Sequence, residues 1–95
     1  MKLKDLKMVE TKFPNGVKAT VQFGPHYELS IIKNEMSYGG KSGLYEIGVF
    51  LDNEMVALPS ITESGDTVRG YLTEEKVDFI IESMSSLTKR EPTQR

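Results

Sequence analysis

Apolar side chains recur at every second position in three successive segments, and this alternation constrains the fold more than any other feature. In Val17–Phe23 the apolar residues share one face and the polar residues share the other. His26–Lys33 and Leu44–Leu51 repeat the spacing and provide further apolar faces. Such alternation is typical of antiparallel strands that have one face against a core. We therefore predict an antiparallel sheet with one covered face.

The pair Asn15-Gly16 predicts how the first two strands connect. Both central residues of a type I′ turn need a positive φ, which Asn and Gly adopt most readily. We expect a hairpin with arms at about Lys7–Phe13 and Val17–Phe23. The first arm alternates less regularly, and its Lys and Glu residues are typical of an edge strand.

Turn signals divide the remainder of the sheet region. Gly24-Pro25 predicts a turn before the third strand, and Asn34–Gly43 predicts a glycine-rich loop before the fourth. Asp52-Asn53 predicts a two-residue turn into a short fifth strand, Glu54–Leu58, which Pro59 ends. The polar segment 60–66 is expected to be a loop.

The C-terminal region carries the one helical pattern. Thr73 is a suitable N-cap, and Glu74 and Glu75 follow it at the positive end of the helix dipole. Apolar residues then recur with helical spacing, at Val77, Ile80, Ile81, Met84 and Leu87. We expect the helix to end at about residues 87–89.

These elements predict an α+β fold. An antiparallel sheet of about five strands, in a hairpin meander, would be covered on one face by the single C-terminal helix. A chain of 95 residues has room for one core, so we expect a single domain over residues 1–88. Residues 89–95 are expected to form a flexible tail.

Composition excludes several classes of chemistry. The chain has no cysteine and one histidine, which excludes disulfides, thiolate metal sites and cysteine nucleophiles. No apolar stretch approaches the roughly 18 residues of a membrane span, and the start lacks the apolar region of a signal peptide. We therefore expect a soluble cytoplasmic protein with no membrane association.

The charges are unevenly distributed along the chain. Residues 1–41 carry seven lysines and four acidic residues, whereas residues 42–88 carry two basic and nine acidic residues. The N-terminal lysines are the only argument for binding nucleic acid, namely Lys2, Lys4, Lys7, Lys12 and Lys18. A pI near 5.4 opposes that function, because domains that bind phosphates are typically basic.

The glycine-rich loop contains Gly40-Lys41-Ser42, which superficially suggests a phosphate-binding loop. Such a loop needs a glycine where Glu35 stands, and a helix rather than a strand after the serine. We instead interpret the loop as a surface for a protein partner, formed by Tyr38, Gly39, Gly40, Lys41 and Tyr45. The alternative is a long hairpin connection whose glycines only provide positive φ angles.

No residue pattern predicts catalysis, a metal or a cofactor. His26 has no partner at the spacing of metal ligands or of a catalytic pair, so we expect a surface histidine beside a turn. Glu63, Asp66, Glu74 and Glu75 are close in sequence but match no calcium-binding spacing. We therefore predict that the protein is not an enzyme.

Two motifs carry a resemblance to a known group. Gly43-Leu44-Tyr45-Glu46 and the segment 70–77 resemble small proteins encoded by tailed bacteriophages. Their pattern also includes an Asn-Gly turn, a Tyr-Gly-Gly loop and a segment like Pro59-Ser60-Ile61-Thr62, so the similarity covers about residues 7–87. The chain departs from the pattern in Glu63–Arg69, which is longer here. The resemblance implies a phage origin and a bacterial host cytoplasm, and it implies no particular activity.

The expected function is therefore that of a non-enzymatic phage accessory protein that binds a protein partner, of the host or of the phage. One alternative is a nucleic-acid-binding protein that uses the basic N-terminal segment. Another is a structural protein that self-associates, for example as a homodimer paired through the edge strand Lys7–Phe13.

Overall fold

Three long strands form the middle of one antiparallel sheet. In the computed structural model, which describes residues 1–95, they are β2 (Gly16–Phe23), β3 (Tyr27–Asn34) and β4 (Tyr45–Leu51). They pair in chain order, and the single helix supplies core residues on one side of the sheet. The predicted α+β fold is confirmed.

Each outer edge of this sheet is shared by two short strands. β1 (Val9–Thr11) and β7 (Pro92–Gln94) both pair with β2. β5 (Glu54–Met55) and β6 (Val68–Leu72) both pair with β4. The order β1-β2-β3-β4-β5 agrees with the predicted meander, although β1 and β5 are shorter than expected. β6 and β7 were not predicted.

The first hairpin is confirmed, but its turn differs from the prediction. Gly16 already belongs to β2, where it pairs with Thr11, and the positive φ in the connection is at Phe13. A side chain at Gly16 would collide with the carbonyl oxygen of Lys33, so close packing explains this glycine. The predicted turn at Asp52-Asn53 is confirmed, with φ angles of 51° and 71°.

The helix α1 (Glu74–Thr88) begins as predicted. The Thr73 hydroxyl accepts the backbone N–H of Lys76 at 3.2 Å. Four of the five predicted core residues of the helix are buried, namely Val77, Ile80, Ile81 and Met84. Leu87 is 52% exposed, so the buried stripe ends one turn earlier than predicted. The helix is too short and too polar to span a bilayer.

The core lies between α1 and one face of β2, β3 and β4. Leu29, Ile31, Ile47 and Val49 are completely or almost completely buried on this face. Four further core residues lie outside the predicted elements, namely Leu3, Leu6, Ile61 and Leu72. The predicted loop at 60–66 is therefore not purely a surface segment, because the side chain of Ile61 is buried in the core and anchors the loop there.

The C-terminal segment is ordered as β7, in contrast to the expected flexible tail. Pro92–Gln94 pairs with Val21–Phe23 along the part of β2 that β1 leaves uncovered. The Gln94 side chain accepts the backbone N–H of Lys7 at 2.7 Å and donates to the Lys7 carbonyl at 2.6 Å. These bonds join β7 to the segment before β1, so the tail closes an otherwise open sheet edge.

Candidate functional site

The glycine-rich loop predicted as a partner surface is held by hydrogen bonds from its first residues onward. The Ser37 hydroxyl accepts the backbone N–H of Asn34 at 2.9 Å. Glu46, on β4, accepts the backbone N–H of Tyr38 through its Oε1 atom at 2.7 Å. The side chain of Glu46 belongs to the sheet face opposite α1, because its neighbour Ile47 faces the core. The loop is therefore fixed at the open face of the sheet.

This anchored loop brings Tyr38 beside Tyr71, which lies in β6. The backbone N–H of Tyr71 donates to the carbonyl oxygen of Tyr38 at 3.1 Å. Tyr38 is 58% exposed and Tyr71 is 64% exposed. The other two tyrosines, Tyr27 and Tyr45, are half-buried and pack against the core. The two exposed tyrosines of the chain therefore lie together.

Each of these tyrosines packs against the glycine that neighbours the other. A side chain at Gly70 would collide with the Cβ atom of Tyr38. A Cβ at Gly39 would lie 2.9 Å from the Cα atom of Tyr71, closer than such atoms normally approach. The segments Tyr38-Gly39 and Gly70-Tyr71 thus fit together as a reciprocal pair. We call these four residues the Tyr–Gly surface.

An irregularity in β6 directs Tyr71 outward. The pairing of β6 with β4 shifts register between the Tyr45–Leu72 and Ile47–Arg69 pairs, as in a β-bulge. Tyr71 has a φ of 56°, which is uncommon for a bulky residue. Bulges commonly redirect a side chain. Here the redirected side chain is an aromatic ring that reaches solvent while Leu72 enters the core.

A groove of about 290 Å³ borders the Tyr–Gly surface. Arg69 Nε lies 3.8 Å from Glu63 Oε1 beside this groove, and Asp66 Oδ1 accepts the backbone N–H of Thr67 at 2.6 Å. Two aromatic rings, two carboxylates and one valine thus surround one small depression. Its lining consists of Tyr38, Glu63, Asp66, Val68, Gly70 and Tyr71.

Two of the five predicted site residues, Tyr38 and Gly39, lie in the Tyr–Gly surface. Gly40 begins a short 3₁₀ turn and packs so closely on the Asn34 carbonyl that no side chain would fit. Close packing therefore explains why position 40 is a glycine. Lys41 is exposed on the same turn and does not line the groove.

Tyr45 does not belong to the same surface. It shares the covered face of β4 with Ile47 and Val49 and packs against the core. The ammonium group of Lys33 lies 4.8 Å from the centroid of its ring. The strand alternation that places Glu46 on the open face necessarily places Tyr45 on the other.

Sequence reasoning did not assign a site role to Gly70, Tyr71, Glu63 or Asp66. Gly70-Tyr71 repeats the Tyr38-Gly39 pair in reverse order, which is a signal that could have been noticed. It could not show that the two pairs meet, because β6 was not predicted and its pairing with β4 creates the contact.

The single histidine forms a hydrogen bond with an aspartate at the surface. His26 Nδ1 lies 2.6 Å from Asp52 Oδ1, and both side chains are exposed. The backbone N–H of Asp52 also donates to the His26 carbonyl at 2.9 Å. The pair therefore joins the turn after β2 to the turn after β4. No group of three or more His, Cys, Asp or Glu side chains is arranged to hold a metal ion.

A second depression, of about 430 Å³, lies along the first turns of α1. Its largest exposed apolar side chain is Phe79, which is 69% exposed. Thr73, Lys76 and Ile80 also line it, all from the same helical segment. Phe79 is therefore an exposed aromatic residue comparable to Tyr71 but outside the Tyr–Gly surface.

Comparison with protein-family models, with curated proteins and with solved structures finds no match to this chain. The candidate site is therefore assigned from its own geometry.

Proposed function

We propose that this protein acts without catalysis, by binding a protein partner through the Tyr–Gly surface. The observation that supports this most strongly is the reciprocal packing of Tyr38 with Gly70 and of Tyr71 with Gly39. Close packing of two glycines holds two aromatic rings at solvent-exposed positions, where neither ring contributes to the core.

Such an arrangement suits recognition of a protein. A tyrosine provides a large contact area with a polar end, and aromatic residues are enriched among those that dominate binding energy. Binding loses less free energy when the contact groups are ordered beforehand. The backbone of Tyr38 is already fixed by a hydrogen bond to Glu46 and another to Tyr71, so the loop backbone needs little further ordering on binding.

The partner expected from the resemblance to phage proteins is a protein of the bacterial host, met in the host cytoplasm. A small protein can act on such a partner by covering part of its surface. The Tyr–Gly surface and its groove are then the part of the molecule that makes contact.

An affinity capture from bacterial lysate tests this function. Wild-type protein and the variant Tyr38→Ala/Tyr71→Ala would be immobilised separately, with and without nuclease treatment of the lysate. We expect a protein that is enriched by the wild type in both arms and is lost with the variant. Capture that disappears after nuclease treatment would favour nucleic-acid binding instead. Equal capture by the variant would refute the assignment of the surface.

A matched stability measurement accompanies this experiment. Both substituted side chains are mostly exposed, so the variant should unfold at nearly the wild-type temperature. Light scattering at high protein concentration tests self-association through the β1 edge. A concentration-dependent dimer that persists in the variant would favour that alternative.

A further inference from the structure

We infer that the groove beside the Tyr–Gly surface accepts a cationic side chain, that of arginine or lysine, from the partner protein. This inference rests on the proposed function and specifies the chemistry of the partner. It is drawn from the carboxylates, the aromatic rings and the size of the groove.

The charge of the groove is negative. Glu63 and Asp66 line it and are both exposed, and Arg69 is the single cation paired with either of them, at 3.8 Å. That separation exceeds the 2.7–2.9 Å of a charge-assisted hydrogen bond. A guanidinium or ammonium group from a partner could therefore approach the carboxylates more closely than Arg69 does.

The aromatic rings favour the same ligand. A cation within about 6 Å of a tyrosine ring is attracted by its negative face, most strongly when water is excluded. The chain already contains such a contact, between the Lys33 ammonium and the Tyr45 ring at 4.8 Å. Tyr38 and Tyr71 have no equivalent partner cation within the molecule, and both line the groove.

The size and floor of the groove fit a side chain better than a larger ligand. Pockets for small molecules typically enclose about 300–1,000 Å³. This groove is at the lower limit, at about 290 Å³, and is open to solvent. Val68 supplies an apolar contact for the methylene stem that arginine and lysine both carry. Lys41, on the neighbouring turn, does not line the groove, so its positive charge would repel a bound cation only from outside the groove.

A titration followed by amide resonances tests this inference with a defined probe. The probe is the blocked tripeptide acetyl-Gly-Arg-Gly-amide, used at millimolar concentrations and at low salt. The control is the same tripeptide with citrulline, which is nearly isosteric with arginine but uncharged. We expect shifts at Tyr38, Gly70 and Tyr71 and in residues 63–68, with the arginine probe only.

Charge-removing variants locate the site. Glu63→Gln/Asp66→Asn should weaken binding of the arginine probe by about fivefold, a loss expected for two exposed ion pairs. Glu74→Gln/Glu75→Gln removes the same charge from the start of α1 and should leave binding unchanged. Equal shifts with both tripeptides, no shifts, or shifts spread over all acidic residues would each overturn the inference.

The two proposals fail in different ways. If Tyr38→Ala/Tyr71→Ala abolishes capture of the partner but Glu63→Gln/Asp66→Asn leaves it intact, the protein-binding function stands and the cationic ligand is refuted. If both variants retain full capture, the Tyr–Gly surface itself is refuted as the binding site. Loss of capture with both variants, together with the arginine-specific shifts, supports both proposals.

Discussion

Tyr71 donates its backbone N–H to the carbonyl oxygen of Tyr38 at 3.1 Å, which connects strand β6 to the glycine-rich loop. The bond is flanked on both sides by a tyrosine packed on a glycine. Each segment therefore positions the other, and removing either glycine should disturb both tyrosines.

Gly70→Ala should destabilise the protein through this contact. The new methyl group would collide with the Cβ atom of Tyr38, so the loop or β6 must shift. Overpacking of this kind lowers the free energy of unfolding by about 1–3 kcal/mol. Urea denaturation of the variant and the wild type measures the difference.

A double variant separates the collision from a general effect of alanine. Tyr38→Gly removes the Cβ atom that Gly70→Ala would meet. The double variant Tyr38→Gly/Gly70→Ala should therefore lose less stability than the sum of the single variants. Strictly additive losses would show that the two residues do not pack as described.

Gln94→Ala should lower stability although the residue lies almost at the C-terminus. The substitution removes two hydrogen bonds to the backbone of Lys7 and weakens the closure of the β2 edge. A typical net contribution of about 0.5–1.5 kcal/mol per hydrogen bond predicts a loss of about 1–2 kcal/mol at this exposed site. The neighbouring Thr93→Ala is the control, since its hydroxyl makes only a long contact of 3.4 Å with the Gln22 carbonyl. If the two variants were equally stable, the hydrogen bonds of Gln94 would not stabilise the fold, and the C-terminal segment would behave as the flexible tail that the sequence predicted.

Met84→Ala and Leu87→Ala should differ sharply although both residues belong to the apolar pattern of α1. Met84 is fully buried, so its truncation leaves a cavity and should cost about 2–5 kcal/mol. Leu87 is mostly exposed and should change stability by less than about 0.5 kcal/mol. Thermal or urea unfolding of the pair measures this. A large loss of stability in Leu87→Ala would mean that the buried stripe continues to the end of the helix.

The local elements of the fold could be predicted from the sequence because their signals are local. Alternation identified the three central strands, and Thr73 with the following apolar stripe identified α1. Asp52-Asn53 identified its turn because both residues need a positive φ. At Asn15-Gly16 the same rule was misleading, since Gly16 is required by its contact with β3.

The missed elements depend on distant contacts. Pro92–Gln94 has no alternation of its own and becomes a strand because β2 offers an unpaired edge. Ile61 was hidden in a polar segment, although a single apolar side chain is enough to anchor a loop in the core. Half of the Tyr–Gly surface was missed for the same reason, because Gly70-Tyr71 meets Tyr38-Gly39 only after β6 pairs with β4.

The central claim is that the Tyr–Gly surface, rather than exposed aromatic area in general, binds the partner protein. Tyr71→Ala and Phe79→Ala test it most directly, because the two side chains are 64% and 69% exposed and only Tyr71 belongs to the surface. Each variant would be compared with the wild type in capture from nuclease-treated lysate. We predict that Tyr71→Ala loses the captured protein and Phe79→Ala retains it. Retention by Tyr71→Ala, or loss with Phe79→Ala alone, would contradict the account.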